Sequence, residues 1–239
     1  MTYTVDARLA ANENERRLLE AVFTPGEGLG IRAHDPLTVV RVAEVTEVTT
    51  IRVPSGRLVV GSPWPEDDDY ELNPPVGREL AERIPPGSYR VEASWFFESY
   101  DHGDYPSVAA VRLCVTQAPV VAWENALGVG EDVESARPGA RFGFDYPDTN
   151  MACFADATAW IELTLPFRQF WRDRRAGLNR ARASEDLCDG SFERVRHEGL
   201  GADLVTFVAD EDNLVWLGRA ADGAVASVVV VGGFRPHPY

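Results

Sequence analysis

The chain contains no lysine: its 23 basic residues are all arginine, against 38 acids, for a formal net charge of -15 and a pI near 4.7. The arginine-only choice reads as the codon usage of a GC-rich genome. The surplus of acid argues against a nucleic-acid backbone or an anionic membrane as the main partner, because both would be repelled. It fits a basic protein partner, or simply solubility. Cysteine is scarce too, with Cys114, Cys153 and Cys188 widely spaced and no C-x-x-C pair. A secreted disulfide scaffold needs a denser, paired framework, so reduced thiols and a cytoplasmic location are expected. No stretch approaches the roughly 20 apolar residues of a membrane span, and the M-T-Y-T-V-D start lacks a basic, then apolar, leader. G-x-G-x-x-G, the Walker loop, H-E-x-x-H and G-x-S-x-G are all missing, so no cofactor is expected. Internal repeats, low-complexity segments and linkers are missing as well.

What is present is the material of a packed core: 45% hydrophobic and 10% aromatic residues, with six tryptophans. Residues 12–23 read as a helix, capped by Asn12 or Asn14, with Leu18, Leu19, Val22 and Phe23 on one stripe and Pro25-Gly26 ending it. Residues 37–48 are β-branched and strand-like. Residues 51–53 and 58–60 flank Pro54-Ser55-Gly56-Arg57, a pattern that predicts a hairpin. Residues 76–83 fit a short helix. Residues 89–97 read as a strand with Tyr89, Val91, Ala93 and Trp95 on one face, and residues 99–107 as a hairpin loop. Residues 108–116, 120–123, 141–146, 204–208, 214–217 and 225–231 read as further strands, the last two joined at Ala220-Ala221-Asp222-Gly223. From Phe154 the spacing of Phe154, Ala157, Ile161 and Leu165 is helical until Pro166, and resumes toward the arginine run at 172–182. The expectation is one α+β domain over residues 1–239, mainly antiparallel β-sheet or sandwich, with a helical segment around 154–182.

Few residues invite chemistry. Cys153 lies three positions before Asp156 at an expected loop-to-helix junction, where unpaired N–H groups would stabilise a thiolate. The pair is the catalytic candidate, with His34, His102 or His197 as a distant base. Trp123-Glu124 at a strand end, together with Asp145, is the candidate binding surface; the plainer reading of the first two is a core aromatic beside a solvated acid. Asp145, Asp148 and Asp156 could gather a divalent ion with an acid loop. Yet Asp148 suits a turn and Asp156 a first helical turn, so no metal ligand is assigned. The acid run Glu66–Asp69 lacks the ligand alternation and glycine of a calcium loop, and Asp101-His102-Gly103-Asp104 lacks a second histidine.

Several of these segments, in order from Ile51 to Phe234, resemble a bacterial family, domain of unknown function 4241. The carriers are Pro54-Ser55-Gly56-Arg57-Leu58-Val59-Val60-Gly61, then Pro86-Gly87-Ser88-Tyr89 with Val91. Val108-Ala109-Ala110 with Arg112-Leu113 follows, and Pro119-Val120-Val121 with Trp123-Glu124 and Ala126. Cys153-Phe154-Ala155-Asp156-Ala157 is similar to the central motif, and Gly218 with Asp222-Gly223 to the closing hairpin. The family pattern carries acids or glycines where this chain has Ser62, Asp210-Glu211-Asp212-Asn213 and Gly233. If those acids made a site, this member would lack part of it, since serine or glycine supplies neither charge nor ligation. The resemblance implies a fold more than an activity.

The expected role is therefore a non-catalytic protein-binding module of the bacterial cytoplasm, immunity- or antitoxin-like or regulatory. The alternatives are a hydrolase or transferase built on Cys153, and a divalent-metal site on acidic loops. Oligomeric state is not legible.

Overall fold

Asn12 opens α1 (Glu13–Ala21): its side chain accepts the Glu15 N–H at 3.0 Å while the Glu15 carboxylate accepts the Asn12 N–H at 2.7 Å. This reciprocal cap satisfies two donors that a helix start otherwise leaves open. The computed structural model describes residues 4–31, 39–64, 77–100, 102–135, 151–179, 181–184, 186–188, 192–209, 214–232 and 234–236. Within them the strands are β1 (Gly28–Ile31), β2 (Val39–Arg41), β3 (Glu44–Val53), β4 (Leu58–Gly61), β5 (Gly87–Tyr100), β6 (Gly103–Cys114) and β7 (Ala122–Asn125). After them come β8 (Met151–Asp156), β9 (Asp186–Cys188), β10 (Phe192–His197), β11 (Ala202–Val208), β12 (Val215–Arg219), β13 (Val225–Val231) and β14 (Phe234–Pro236). Helices α2 (Trp160–Leu163) and α3 (Leu165–Arg175) follow β8.

The strands form three antiparallel sheets, ordered β14-β1-β2, β4-β8-β11-β10-β9 and β3-β5-β6-β13-β12-β7. The chain is thus a mainly-β α+β sandwich, as the strand periodicity predicted. Its two large sheets face each other across one core: Val60, Phe154, Val205 and Phe207 from one sheet, and Val91, Leu113, Leu217, Val228 and Val230 from the other. Their outer faces are covered as well. Trp216, Val229 and Val231 pack with Leu19 of α1, with Val22 just after it, and with Leu29 of β1. Val59, Cys153, Ala155 and Leu204 pack under Trp160, Leu163, Phe167 and Phe170 of the α2–α3 pair. A strand buried on both faces needs no polar alternation, so β13 reads V-A-S-V-V-V-V and is buried throughout.

The chain departs from the sequence reading in several places. Residues 103–107, expected in a hairpin loop, open β6, and β1, β9, β10 and β14 fall where the sequence reading has no strand. The Pro54–Arg57 turn is not a hairpin, because β3 pairs with β5 and β4 pairs with β8, so the turn is a corner between the two large sheets. Gly56 holds that corner at φ +68°, and a Cβ there would come within 2.2 Å of the Ile84 carbonyl oxygen. Residues 79 and 80 make β-bridges to Val59 and Gly128 instead of a helix. The expected strand at 37–48 is two strands, separated at Val42–Ala43. Finally, residues 151–156 are strand, and α-helix begins only at Trp160 and ends at Arg175, short of the expected span. The expected strand at 141–146 lies outside the described residues.

Candidate functional site

Cys153 is the centre of β8, flanked by Gly61 of β4 and Thr206 of β11 in register. Period-two alternation turns Phe154 to the inter-sheet core and Cys153 to the opposite face, beneath α2 and α3. The thiol is fully buried. Burial drives it well above its ordinary pKa, and the Gly61 backbone N–H offsets only part of that. The expectation of a thiol at a helix start is corrected: a mid-strand thiol has no open N–H cluster to stabilise its anion. An inaccessible, protonated thiol packs as a small hydrophobe.

Asp156 ends β8 and caps the short 3-10 turn Ala157–Ala159. One carboxylate oxygen accepts the Thr158 N–H at 2.8 Å and the Thr158 hydroxyl at 2.6 Å. The other accepts the Ser55 N–H at 2.9 Å and the Ser55 hydroxyl at 2.7 Å. Burial alone would raise this carboxyl, but the hydrogen bonds from Thr158 and Ser55 prevail, and its pKa lies below the ordinary value. With about four lone-pair sites per carboxylate and four donors seated on them, Asp156 is committed to its structural partners. It ties the inter-sheet corner to the start of the helical layer. Serine in the Pro54–Arg57 turn is the partner that the sequence reading left without a role.

Glu124 is no surface acid. It lies buried on β7 and accepts the Arg219 Nε–H at 2.8 Å across the β7–β12 pairing, with the guanidinium also reaching Glu82 at 2.8 Å and the Gly223 carbonyl at 3.1 Å. Trp123, next to it, points to the opposite face and packs half-buried against the α1 core. The expected recognition pair is therefore split between two faces. Glu124 is not solvated either, because Arg219 takes its charge inside the protein. Asp145, Asp148 and His34 lie outside the described residues.

The other two candidate bases, His102 and His197, sit on different elements from Cys153. His102 is exposed at the β5–β6 turn, its ring 5.3 Å from that of Tyr105. His197 ends β10, where its Nδ1 accepts the Leu200 N–H at 3.1 Å. Among the described residues no group of three or more His, Cys, Asp or Glu is placed to hold a metal ion, and no helix is long and apolar enough to cross a membrane.

A third internal charge completes the pattern. Asp203 of β11 is buried and accepts the Arg52 backbone N–H at 2.8 Å and the Arg52 guanidinium at 3.0 and 2.7 Å. Arg52 belongs to β3, so this ion pair bridges the two large sheets. Neither residue was singled out from sequence, because a lone arginine and a lone aspartate 151 positions apart carry no local signal.

The sequence model of a family described as "Protein of unknown function (DUF4241)" matches residues 51–206, more than half of the chain. That span runs from β3 to β11 and contains the Ser55–Asp156 and Arg52–Asp203 ties. Neither the curated proteins nor the solved structures include a match to the chain.

Proposed function

The chain belongs to the family described as Protein of unknown function (DUF4241), and on that footing we propose that it is a non-catalytic protein-binding module, immunity- or antitoxin-like or regulatory, whose partner is a basic protein. The observation that carries this reading is the fate of the candidate chemical groups. Cys153 is sealed in a strand, Asp156 is occupied by four donors, and Glu124 is paired with Arg219. Asp156 and Glu124 serve as ties between elements, and Cys153 packs as core.

Among the described residues the exposed surface carries arginines, such as Arg41, Arg83, Arg174 and Arg196, as well as acids. Glu13, Glu44, Glu47, Asp104, Asp132, Glu134, Glu198 and Asp222 are exposed on a chain of net charge -15. A surface of this sign speeds encounter with a basic protein and repels acidic ones. The cytoplasm, with its reduced thiols, suits three unpaired cysteines.

The test is direct binding of the purified chain to the products encoded beside its gene, by titration calorimetry across a salt series. A stoichiometric complex with a basic product, weakening as salt rises, is the expected result. Absence of binding and neutralisation for every neighbouring product would remove the reading.

A further inference from the structure

Resting on the protein-binding reading, we propose that the free end of the β5–β6 ribbon is its docking surface, and that it takes a basic partner protein. Sheet pairing defines where the ribbon becomes free. On the β5 side, β3 accompanies it only as far as the Glu44↔Trp95 pair. On the β6 side, β13 begins at the Val231↔Ala110 pair. Beyond those limits β5 and β6 pair only with each other, through Phe96↔Ser107, Phe97↔Pro106, Glu98↔Tyr105 and Ser99↔Asp104, with β2 packed beside β5.

Cover is lost over the same step. Trp95 is buried, its ring 5.8 Å from Phe192, and Phe96 is buried, its ring 5.2 Å from Phe234. Residues two apart share a face of a strand, and directly paired residues share one too. Phe97 and Pro106 therefore extend the Trp95 face, and Glu98 and Tyr105 the Phe96 face. Phe97 is 51% exposed and Tyr105 44% exposed. They are the exposed large aromatics among the described residues; the other exposed large hydrophobics are aliphatic, such as Val121, Ile161 and Leu200.

Scattered aliphatics are ordinary on a protein surface, whereas exposed aromatics on a projecting element, here one on each face of the ribbon, are what interfaces use as anchors. An acid or a proline on a free strand can serve merely to prevent edge-to-edge aggregation. That purpose explains Glu98, Asp104 and Pro106, but an exposed Phe97 and Tyr105 work against it. Charge selects the partner. From Phe96 to Ser107 the sequence carries Glu98, Asp101 and Asp104 and no arginine. A partner presenting arginine or lysine around an apolar recess meets both features, and an acidic partner is repelled.

The experiment places a photoreactive phenylalanine analogue in the full chain, in its producing cells, at Phe97, Ile161 or Leu200 in turn. The expected result is an adduct from position 97 with a basic protein. Its yield should fall by about tenfold when Glu98→Arg and Asp104→Arg are introduced together, the scale on which steering charges alter association. Both acids sit on the free ribbon, and an unchanged melting temperature of the double variant confirms that the fold is intact. An adduct at 97 with a second copy of this chain or with an acidic protein overturns the proposal, as does indifference to charge reversal. A basic adduct at 161 or 200 but not at 97 overturns the ribbon and leaves the binding reading standing. No protein adduct from any of the three positions overturns both.

Discussion

At the scale of single residues, the decisive quantity is how many hydrogen bonds a buried polar group receives. Asp156 receives four from Ser55 and Thr158. Asp156→Ala leaves the Ser55 and Thr158 donors without their acceptor, and hydrogen bonds to a buried charge are worth about 1.5–3 kcal/mol each. The losses are not additive, so a cost of about 3 kcal/mol is expected from urea unfolding. Asp156→Asn should cost less, since the amide oxygen still accepts. A lowered carboxyl pKa gives the sign of the pH effect. The folded state binds this proton more weakly than the unfolded one, so the contribution is complete above the ordinary aspartate value. It is lost as pH falls through the folded value, and Asp156→Asn should flatten that acid limb. A limb unchanged in the variant would mean that other carboxylates govern acid unfolding.

The same counting applies to the thiols. Burial raises the pKa of both thiols, but Cys153 is fully buried while Cys114 is half-buried. A thiol reagent applied to the native protein should modify Cys114 first and reach Cys153 only after denaturant is added, as read by mass spectrometry. Prompt native labelling of Cys153 would reopen the nucleophile reading.

At the scale of elements, β7 and β12 are held by backbone pairing and by a charge pair inside the protein. Arg219 and Glu124 are both nearly excluded from solvent. Removing one partner leaves a buried charge, which costs about 3–5 kcal/mol, whereas replacing both by apolar groups of similar size is often neutral or better. Arg219→Ala should therefore destabilise strongly, and Arg219→Met combined with Glu124→Leu should recover most of the loss. Equilibrium unfolding of the two variants checks this. Equal destabilisation by both would show that the Glu82 and Gly223 contacts of Arg219 carry the effect instead.

How legible these elements were follows from the range of the interactions that make them. The Asn12 cap of α1, one of two asparagines the sequence offered, and the Asp222-Gly223 turn of β12–β13 are local, and both were legible. The helical reading from Phe154 failed because a strand buried on both faces carries apolar residues at every position. M-A-C-F-A-D then matches a helical spacing as well as a strand, and only pairing with β4 and β11 resolves it. The Pro54–Arg57 turn was recognised as a turn, but whether its strands pair with each other is a property of β5 and β8. Asp156 reads from sequence as the catalytic partner of Cys153 or as a first-turn acid, whereas it caps the short 3-10 turn after β8. Arg52–Asp203 and Arg219–Glu124 join residues far apart in sequence, where no spacing rule reaches.

At the scale of the whole molecule, two charge populations respond differently to salt. Arg52, Arg194 and Arg219 are paired with Asp203, Asp186 and Glu124 in sites partly or wholly withdrawn from water, where counterions screen little. The chain as a whole carries a net charge of -15, and that acidic surplus repels itself. Compaction brings those charges together, so repulsion opposes folding, and salt relieves it. Raising ionic strength from about 0.01 M to 0.15 M shortens the Debye length from about 30 Å to 8 Å, which spans most separations on a chain of this size. Relief of about 1 kcal/mol moves the melting temperature of a chain of this length up by about 2–4 °C. The same screening should slow association with a basic partner. Calorimetric melting and stopped-flow association across one salt series would thus move in opposite directions. A melting temperature that falls with salt would mean that exposed pairs such as Arg16 with Glu13 and Glu20 outweigh the net repulsion. Association that is insensitive to salt would remove electrostatic steering as the use of the acidic surface.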